Sequence, residues 1–407
     1  MRHIHSARAF SCGAAISVLL LALPQPAAAQ RIQIDTKASI ELNREVRDAL
    51  REATDGMSDA IRELSRSLSR DLGRELSQLD RTVSRSLSEG LRDLPNLDRL
   101  GAFDGGWAMA QERNWSGRAE DRQTRTAAIG PNGTLELHNL SGDITVTAGT
   151  GRDATIEVIR RSRGRTDADA RLGLERVTVS QQVTGTRATV RADYPNERQS
   201  AYSVSVNMVI SAPAGTRLVI NSLSGNLKVT GILGELSANT ISGDVTLTSV
   251  GAVTEAKTAS GNVTITGATS DGTLESGSLS GDVTLKQVKA RRITASTVSG
   301  NVTASDITCE SATLNAMAGD ASFSGGLAPG GRYELTSHAG DVRFAPTTAV
   351  GFTLTASSFG GDISSSLSLQ GDGSRSRSHK LTGKVGDGSA TVTLQTFSGD
   401  ITIGTKK

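Results

Sequence analysis

Aromatic residues are scarce in this chain: seven Phe, three Tyr and two Trp in 407 residues, 3% of the whole. That argues against a cleft in which sugar rings or bases stack on aromatic faces. Cysteine is nearly missing, with only Cys12 and Cys309. If the N-terminus is removed as a leader, one thiol remains and no intramolecular disulfide can form, even in a compartment that would permit it. Charge of one sign is also missing: 44 Lys and Arg face 42 Asp and Glu, a formal net charge of +2. No global field therefore points to nucleic acid or to an acidic partner. Long apolar runs are absent apart from Ala14–Leu23, which is short for a membrane span.

What the chain has is glycine, 44 residues of it, and a phrase that returns. Ser-Gly-Asp or Ser-Gly-Asn, usually followed by an apolar–Thr–apolar triplet, recurs with central glycines Gly225, Gly243, Gly261, Gly281 and Gly300. Weaker copies stand at Gly319, Gly340 and Gly361, and a clean one closes the series at Gly399. The steps are 18, 18, 20, 19, 19, 21 and 21 residues, then 38, or two units. A fixed period near 20 residues marks a solenoid. Within a unit, Leu236, Ala238 and Thr240 alternate with polar neighbours, Ser-Gly-Asp follows, and Val245 and Leu247 alternate again. Period-2 alternation predicts half-buried strands, and the glycine–Asx pair predicts a corner. The expected fold is mainly β, a single-chain β-solenoid of about 19–20 residues per coil. Stacking of ten or so coils at about 4.8 Å would give a rod roughly 50 Å long. A β-sandwich of hairpins also fits regular turn signals, but does not require the phrase to recur at coil length.

Stacked corners bring Asn226, Asp244, Asn262, Asp282 and Asn301 into one column, then Asp320, Asp341 and Asp362. Alternating Asn with Asp keeps like charges apart. The three consecutive aspartates are the one place where a metal cation would relieve repulsion; solvated turn aspartates are the plainer reading.

The N-terminus reads as an export signal: basic Arg2 and Arg8, the apolar run, then Pro24-Gln25-Pro26-Ala27-Ala28-Ala29, with cleavage expected near Ala29. Residues 1–29 are thus the leader. Residues 30–98 form a separate amphipathic α-helical segment, with apolar residues every three or four positions from Val46 to Leu94. The steps 3,4,4,4 from Ile61 to Val83 make an 11-residue repeat, which keeps an apolar stripe on one helix face. Such a helix (46–94) would self-associate into a homo-oligomer, pack on its own rod, or lie on lipid without crossing it. Residues 99–127 read as a linker holding both tryptophans, Trp107 and Trp115.

Residues 128–215 form a β-rich head, and 216–407 the repeats. The head opens with Gly133-Thr-Leu-Glu-Leu-His-Asn139-Leu-Ser141-Gly142-Asp143-Ile144, then strand patterns near 155–160, 177–182, 188–192 and 202–210, with a helical piece at 167–175. That opening, the entry Met208–Gly215 and the serial Ser-Gly-Asp/Asn coils resemble the bacterial "putative adhesin" domain family, a β-solenoid domain, over roughly 128–407. The resemblance implies adhesion and brings no catalytic residues with it.

Three functions follow from these readings. The first is a non-enzymatic, exported binding or scaffold module of the cell envelope or surface, with a protein or glycan ligand and no cofactor; Thr246, Thr264, Thr284 and Thr303 would line one face. The second is a self-assembling envelope element in which rods stack end to end. The third is a polysaccharide-active β-helix. That chemistry needs paired carboxylates beside sugar-binding aromatics, whereas the carboxylates here are corners. His138, His338 and His379 show no metal-ligand spacing. Periplasm, cell surface and exterior all fit the leader.

Overall fold

The computed structural model describes residues 115–195, 201–347, 350–370 and 379–404. The leader, the helical segment 30–98, the linker up to residue 114 and Trp107 lie outside them. The chain divides into two units, Met1–Ser77 and Gln78–Lys407, and the described residues all lie in the second.

The head contains β1 (Gly117–Ala127), β2 (Thr134–Ser141), β3 (Ile144–Gly149), β4 (Ala154–Gly164), α1 (Asp167–Arg176), β5 (Thr178–Thr184), β6 (Arg187–Asp193) and β7 (Tyr202–Pro213). The repeats follow as long–short pairs: β8 (Arg217–Ser224) with β9 (Leu227–Thr230), β10 (Leu236–Ser242) with β11 (Val245–Thr248), β12 (Val253–Ser260) with β13 (Val263–Thr266), and β14 (Thr273–Ser280) with β15 (Val283–Lys286). Then come β16 (Arg292–Ser299), the long β17 (Val302–Ala318) and β18 (Ala321–Ser337), and β19 (Val342–Pro346). The last strands are β20 (Phe352–Ser358), β21 (Ile363–Ser365), β22 (Lys380–Val385), β23 (Ala390–Thr396) and β24 (Ile401–Ile403). The protein is mainly β.

Each unit is one coil with two strands meeting at the Ser-Gly-Asx corner. Long strands pair in parallel with long strands and short with short, residue for residue: Ala238 with Ile220 and Ala256, Val245 with Leu227 and Val263. Two parallel ladders result. A short third side closes the coil, carried by bonds such as Gly251 N–H to Ile232 O (2.8 Å) and Lys289 N–H to Ala268 O (2.9 Å). Inward positions are aliphatic and fully buried, as at Leu236, Val245, Val263, Ile265, Leu285 and Ile293. One coil cannot cover this surface alone, so burial depends on the coils above and below. Toward the C-terminal end the core widens and aromatics fill it. Phe323 stacks on Phe344 at 5.5 Å, and Phe344 meets Phe352 edge-on at 5.8 Å.

The order of coils in the stack departs from the order in the chain at both ends. The coil β2/β3 lies between β6/β7 and β8/β9, because β2 pairs with both β6 and β8 while β3 pairs with both β7 and β9. The coil β23/β24 lies between β18/β19 and β20/β21. The period alone placed 390–403 at the end of the rod; the structure places it one coil inside.

Antiparallel strands finish the ends. At the head, β5 closes the long-strand ladder on β6, and β4 then β1 close the short-strand ladder on β7. At the far end β22 lies antiparallel on β20. Residues 117–127, expected within the linker, are therefore the edge strand β1. Its exposed positions include Arg118, Glu120 and Arg122, charges that discourage further pairing. Helix α1 packs under β1 and β4. Thr166 caps it, with its hydroxyl accepting from Asp169 N–H and the Asp169 carboxylate accepting from Thr166 N–H. Arg160 pairs with Asp121 and donates to the Leu174 and Val177 carbonyls at 2.9 and 2.7 Å, fixing the helix end.

Candidate interaction surface

The corner fixes what faces outward. In the corner column Gly225, Gly243, Gly261, Gly281 and Gly300 have φ between 134° and 148°, as few side-chain-bearing residues do. A Cβ on Gly261 would collide with the carbonyl of Gly243, and the same holds up and down the column, including Gly319, Gly340 and Gly399. Close stacking of bare backbone lets each following Asx side chain reach the next coil. Asn226 Oδ1 accepts from Asp244 N–H at 2.9 Å, Asp244 from Asn262 at 2.7 Å, Asn262 from Asp282 at 2.9 Å, and Asp282 from Asn301 at 2.8 Å. The chain of bonds runs on through Asp320, Asp341 and Asp400 to Asp362. An Asx oxygen is the acceptor that backbone geometry demands here, so these residues are structural first.

Beneath the corner runs a second, inward column of hydroxyls. Thr258, Ser278, Thr297, Ser337, Thr396 and Ser358 each donate to a corner glycine carbonyl at 2.8–2.9 Å. In the first coil Asn139 Nδ2 makes this bond to Gly142 O at 3.0 Å, which explains why the buried Ser222 hydroxyl above it has no partner. Sequence reading missed this column. Its signal is a Thr or Ser three residues before each corner glycine, with Asn139 and Ala316 the exceptions.

The run of three consecutive corner aspartates, the minor cation reading beside plain solvated turns, needs correction. Asp320, Asp341 and Asp362 are not consecutive, because the intercalated coil puts Asp400 between Asp341 and Asp362. Counter-charge comes from Arg343, whose guanidinium binds Asp320 and also Asp341 at 2.7 Å. Partial burial opposes ionisation of Asp320, but hydrogen bonds from Arg343 and the Asp341 amide outweigh it and hold its carboxyl below the ordinary range. Among the described residues no group of three or more His, Cys, Asp or Glu is arranged to hold a metal. Cys309 faces inward, and burial pushes its thiol up to about 12, which leaves it unreactive at neutral pH.

Two repeated faces remain for a partner. The short-strand ladder presents Thr145, Lys228, Thr246, Thr264, Thr284 and Thr303 as one column, with Thr147, Thr230, Thr248, Thr266, Lys286 and Ser305 beside it, all in register. The long-strand ladder presents an outward apolar column, half-buried, from Leu140 through Ile241 and Val298 to His338, Phe397 and Phe359. The last three rings stack at 4.9 and 4.8 Å. Phe344 and Phe352 thus fill the coils, while Phe359 and Phe397 decorate them. Next to that column Asn221, Asn239, Lys257 and Ser296 point outward yet are buried, so this face carries a furrow. In its floor Lys257 bridges Glu255 (2.6 Å) and Glu275 (3.2 Å). On the third side a cleft of about 580 Å³ is lined by Asp271, Lys289, Arg291 and Glu310, among others. No helix among the described residues is long and apolar enough to cross a membrane.

A parallel stack of coils with a Gly–Asx corner defines a β-solenoid-like module. The sequence matches Toastrack DUF4097 over residues 133–272, 268–358 and 329–404, and the chain belongs to that family. Among solved structures it is similar to a putative adhesin from Bacteroides fragilis, at 14% identity, covering 70% of this chain and 97% of that one, with a TM-score of 0.36. A putative cell adhesion protein from Clostridium sporogenes is similar at 10% identity, covering 71% and 100%, with a TM-score of 0.20. A putative lipid binding protein from Parabacteroides distasonis is similar at 11% identity, covering 69% and 96%, with a TM-score of 0.36. No curated protein matches the chain.

Proposed function

We propose that this protein is an exported, non-enzymatic binding module of the bacterial cell envelope, whose short-strand face engages a repeating, hydroxyl-rich ligand such as a surface glycan. The observation that carries this reading is the in-register threonine array. Paired strands set rows about 4.8 Å apart, and alternate residues about 6.7 Å apart along each strand. A lattice of hydroxyls and methyls offers the same weak contact many times over, so affinity comes from number and geometry. Leader removal near Ala29 would deliver the module to the envelope. End-to-end self-assembly, the competing reading, runs against the antiparallel, charge-bearing strand β1.

The test is co-sedimentation of the chain with purified envelope polysaccharide and with peptidoglycan, beside a Thr246→Lys, Thr264→Lys, Thr284→Lys variant of unchanged circular dichroism. The reading requires binding to one of these fractions and its loss in the variant. Equal binding by both proteins, or binding by neither, overturns it. Mass spectrometry of the envelope-associated chain checks export: its first residue should be Gln30.

A further inference from the structure

The closing coil occupies a slot with two walls. Residues 390–396 pair in parallel with Arg332–Ser337 on one side and with Phe352–Ser358 on the other. Residues 401–403 pair with Val342–Phe344 and with Ile363–Ser365. Both walls come from earlier sequence. They carry inward Leu335, Val342, Leu354 and Ile363, which are buried only when a coil lies between them. Nothing in the pairing distinguishes the molecule's own coil from an identical coil of another copy. The corner bonds, from Asp400 N–H to Asp341 and from Asp362 N–H to Asp400, would form equally well in either case. The connection from β21 to β23 (366–389) contains β22, which pairs with β20, so β22 exchanges together with the coil.

We propose that the slot is an acceptor for a second copy of this chain: residues 390–403 of one molecule fill the gap between β18/β19 and β20/β21 of another. Exchange of an identical element is a low-cost route to assembly, since each bond broken within one molecule is remade with its partner. Reciprocal exchange gives a closed dimer, and one-way exchange gives an open chain of rods. This joins copies side by side through one coil, without using the charge-blunted ends. It stands whether or not the threonine face binds a glycan.

The test uses register partners whose side chains point away from the aliphatic core. Thr336 faces Gln395, and Glu334 faces Thr393. Two full-length proteins, each Cys12→Ser, carry Thr336→Cys and Gln395→Cys separately; they are mixed, unfolded, refolded together at rising concentration and oxidised. Adjacent strands put the two Cα atoms within disulfide range. The expected result is a covalent heterodimer joining position 336 to 395, identified by peptide mass spectrometry and increasing with refolding concentration. A mixture giving only monomer at every concentration, or only symmetric 336–336 and 395–395 links, overturns the proposal. The pair Glu334→Cys and Thr393→Cys repeats the experiment where the first pair impairs folding. Each single protein carrying both cysteines should give the internal disulfide when refolded dilute, which certifies that the register itself is right.

Discussion

Corner hydrogen bonds in the middle of the stack span 18 to 20 residues, whereas those at its ends span 38 to 83. The central coils, β10 to β16, pair only with the coil before and the coil after in the chain. The head and the C-terminal coils recruit partners from far along the chain and finish on antiparallel strands. The middle is therefore built by repetition and the ends by exception. Repetition supplies a regular surface, and the exceptions decide where stacking stops. A rod of identical parallel coils would present sticky edges at both ends; this one offers β1, β5, β22 and the three-residue β21.

The sharpest way to break this distinction is to crowd the corner. Gly261→Val places a side chain against the Gly243 carbonyl at φ 144° and should cost at least ~3 kcal/mol in urea unfolding. Gly185→Ala, at φ 61° with open space around it, should cost about 1 kcal/mol. Equal losses would mean that the column does not govern the fold. A smaller effect comes from the Asx ladder. Asp244→Leu removes the acceptor for Asn262 N–H and should cost about 1–2 kcal/mol, while Asp244→Asn keeps the oxygen and should cost little.

Next in size is relief of strain in the central coils. Ser249, Gln287 and Asp306 hold φ of 52°, 53° and 56° at the corner where Gly231 and Gly267 stand in neighbouring coils. Gln287→Gly should raise stability by about 0.5–1 kcal/mol, read as a higher unfolding midpoint with unchanged slope. The smallest effect belongs to the acidic end. Asp320 has a folded-state pKa below its unfolded value, so its contribution is complete above the ordinary aspartate range and fades as pH falls through the lower, folded value. Arg343→Met should lower the melting temperature slightly at neutral pH, and that difference from the parent should shrink as pH falls through the acidic window. A loss of the same size at every pH would show that the Arg343 bridge works by packing instead.

Much of the middle was legible because one phrase does several jobs at once. Ser-Gly-Asp names the corner, its period names the coil, and the flanking alternation names the core. Helix α1 was legible near 167–175 and proved to span 167–176. The ends were not legible, for the same reason that the middle was. Ser398-Gly399-Asp400 is as good a corner as Ser242-Gly243-Asp244, so nothing local says which coil it joins. Strand β1 hid because its charges alternate along an edge, and residues 380–385 hid because their partner runs antiparallel outside the period. The threonine face was visible as a column before its two-column register was known, whereas the furrow holding Lys257 depends on how the long strands present neighbouring positions and has no sequence signature.

The intercalated coil also sets how the molecule answers a pull. Ile401 N–H bonds Asp362 O, and Val342 N–H bonds Asp400 O, each at 2.9 Å on opposite edges of one strand. Tension on the chain just beyond residue 403 therefore loads two ladders together, in shear. Tension on the chain just before β1 meets a strand bonded along one edge only, which can peel one bond at a time. The rod has a strong side and a weak side, and an attachment that must bear load is better made through residues 390–403.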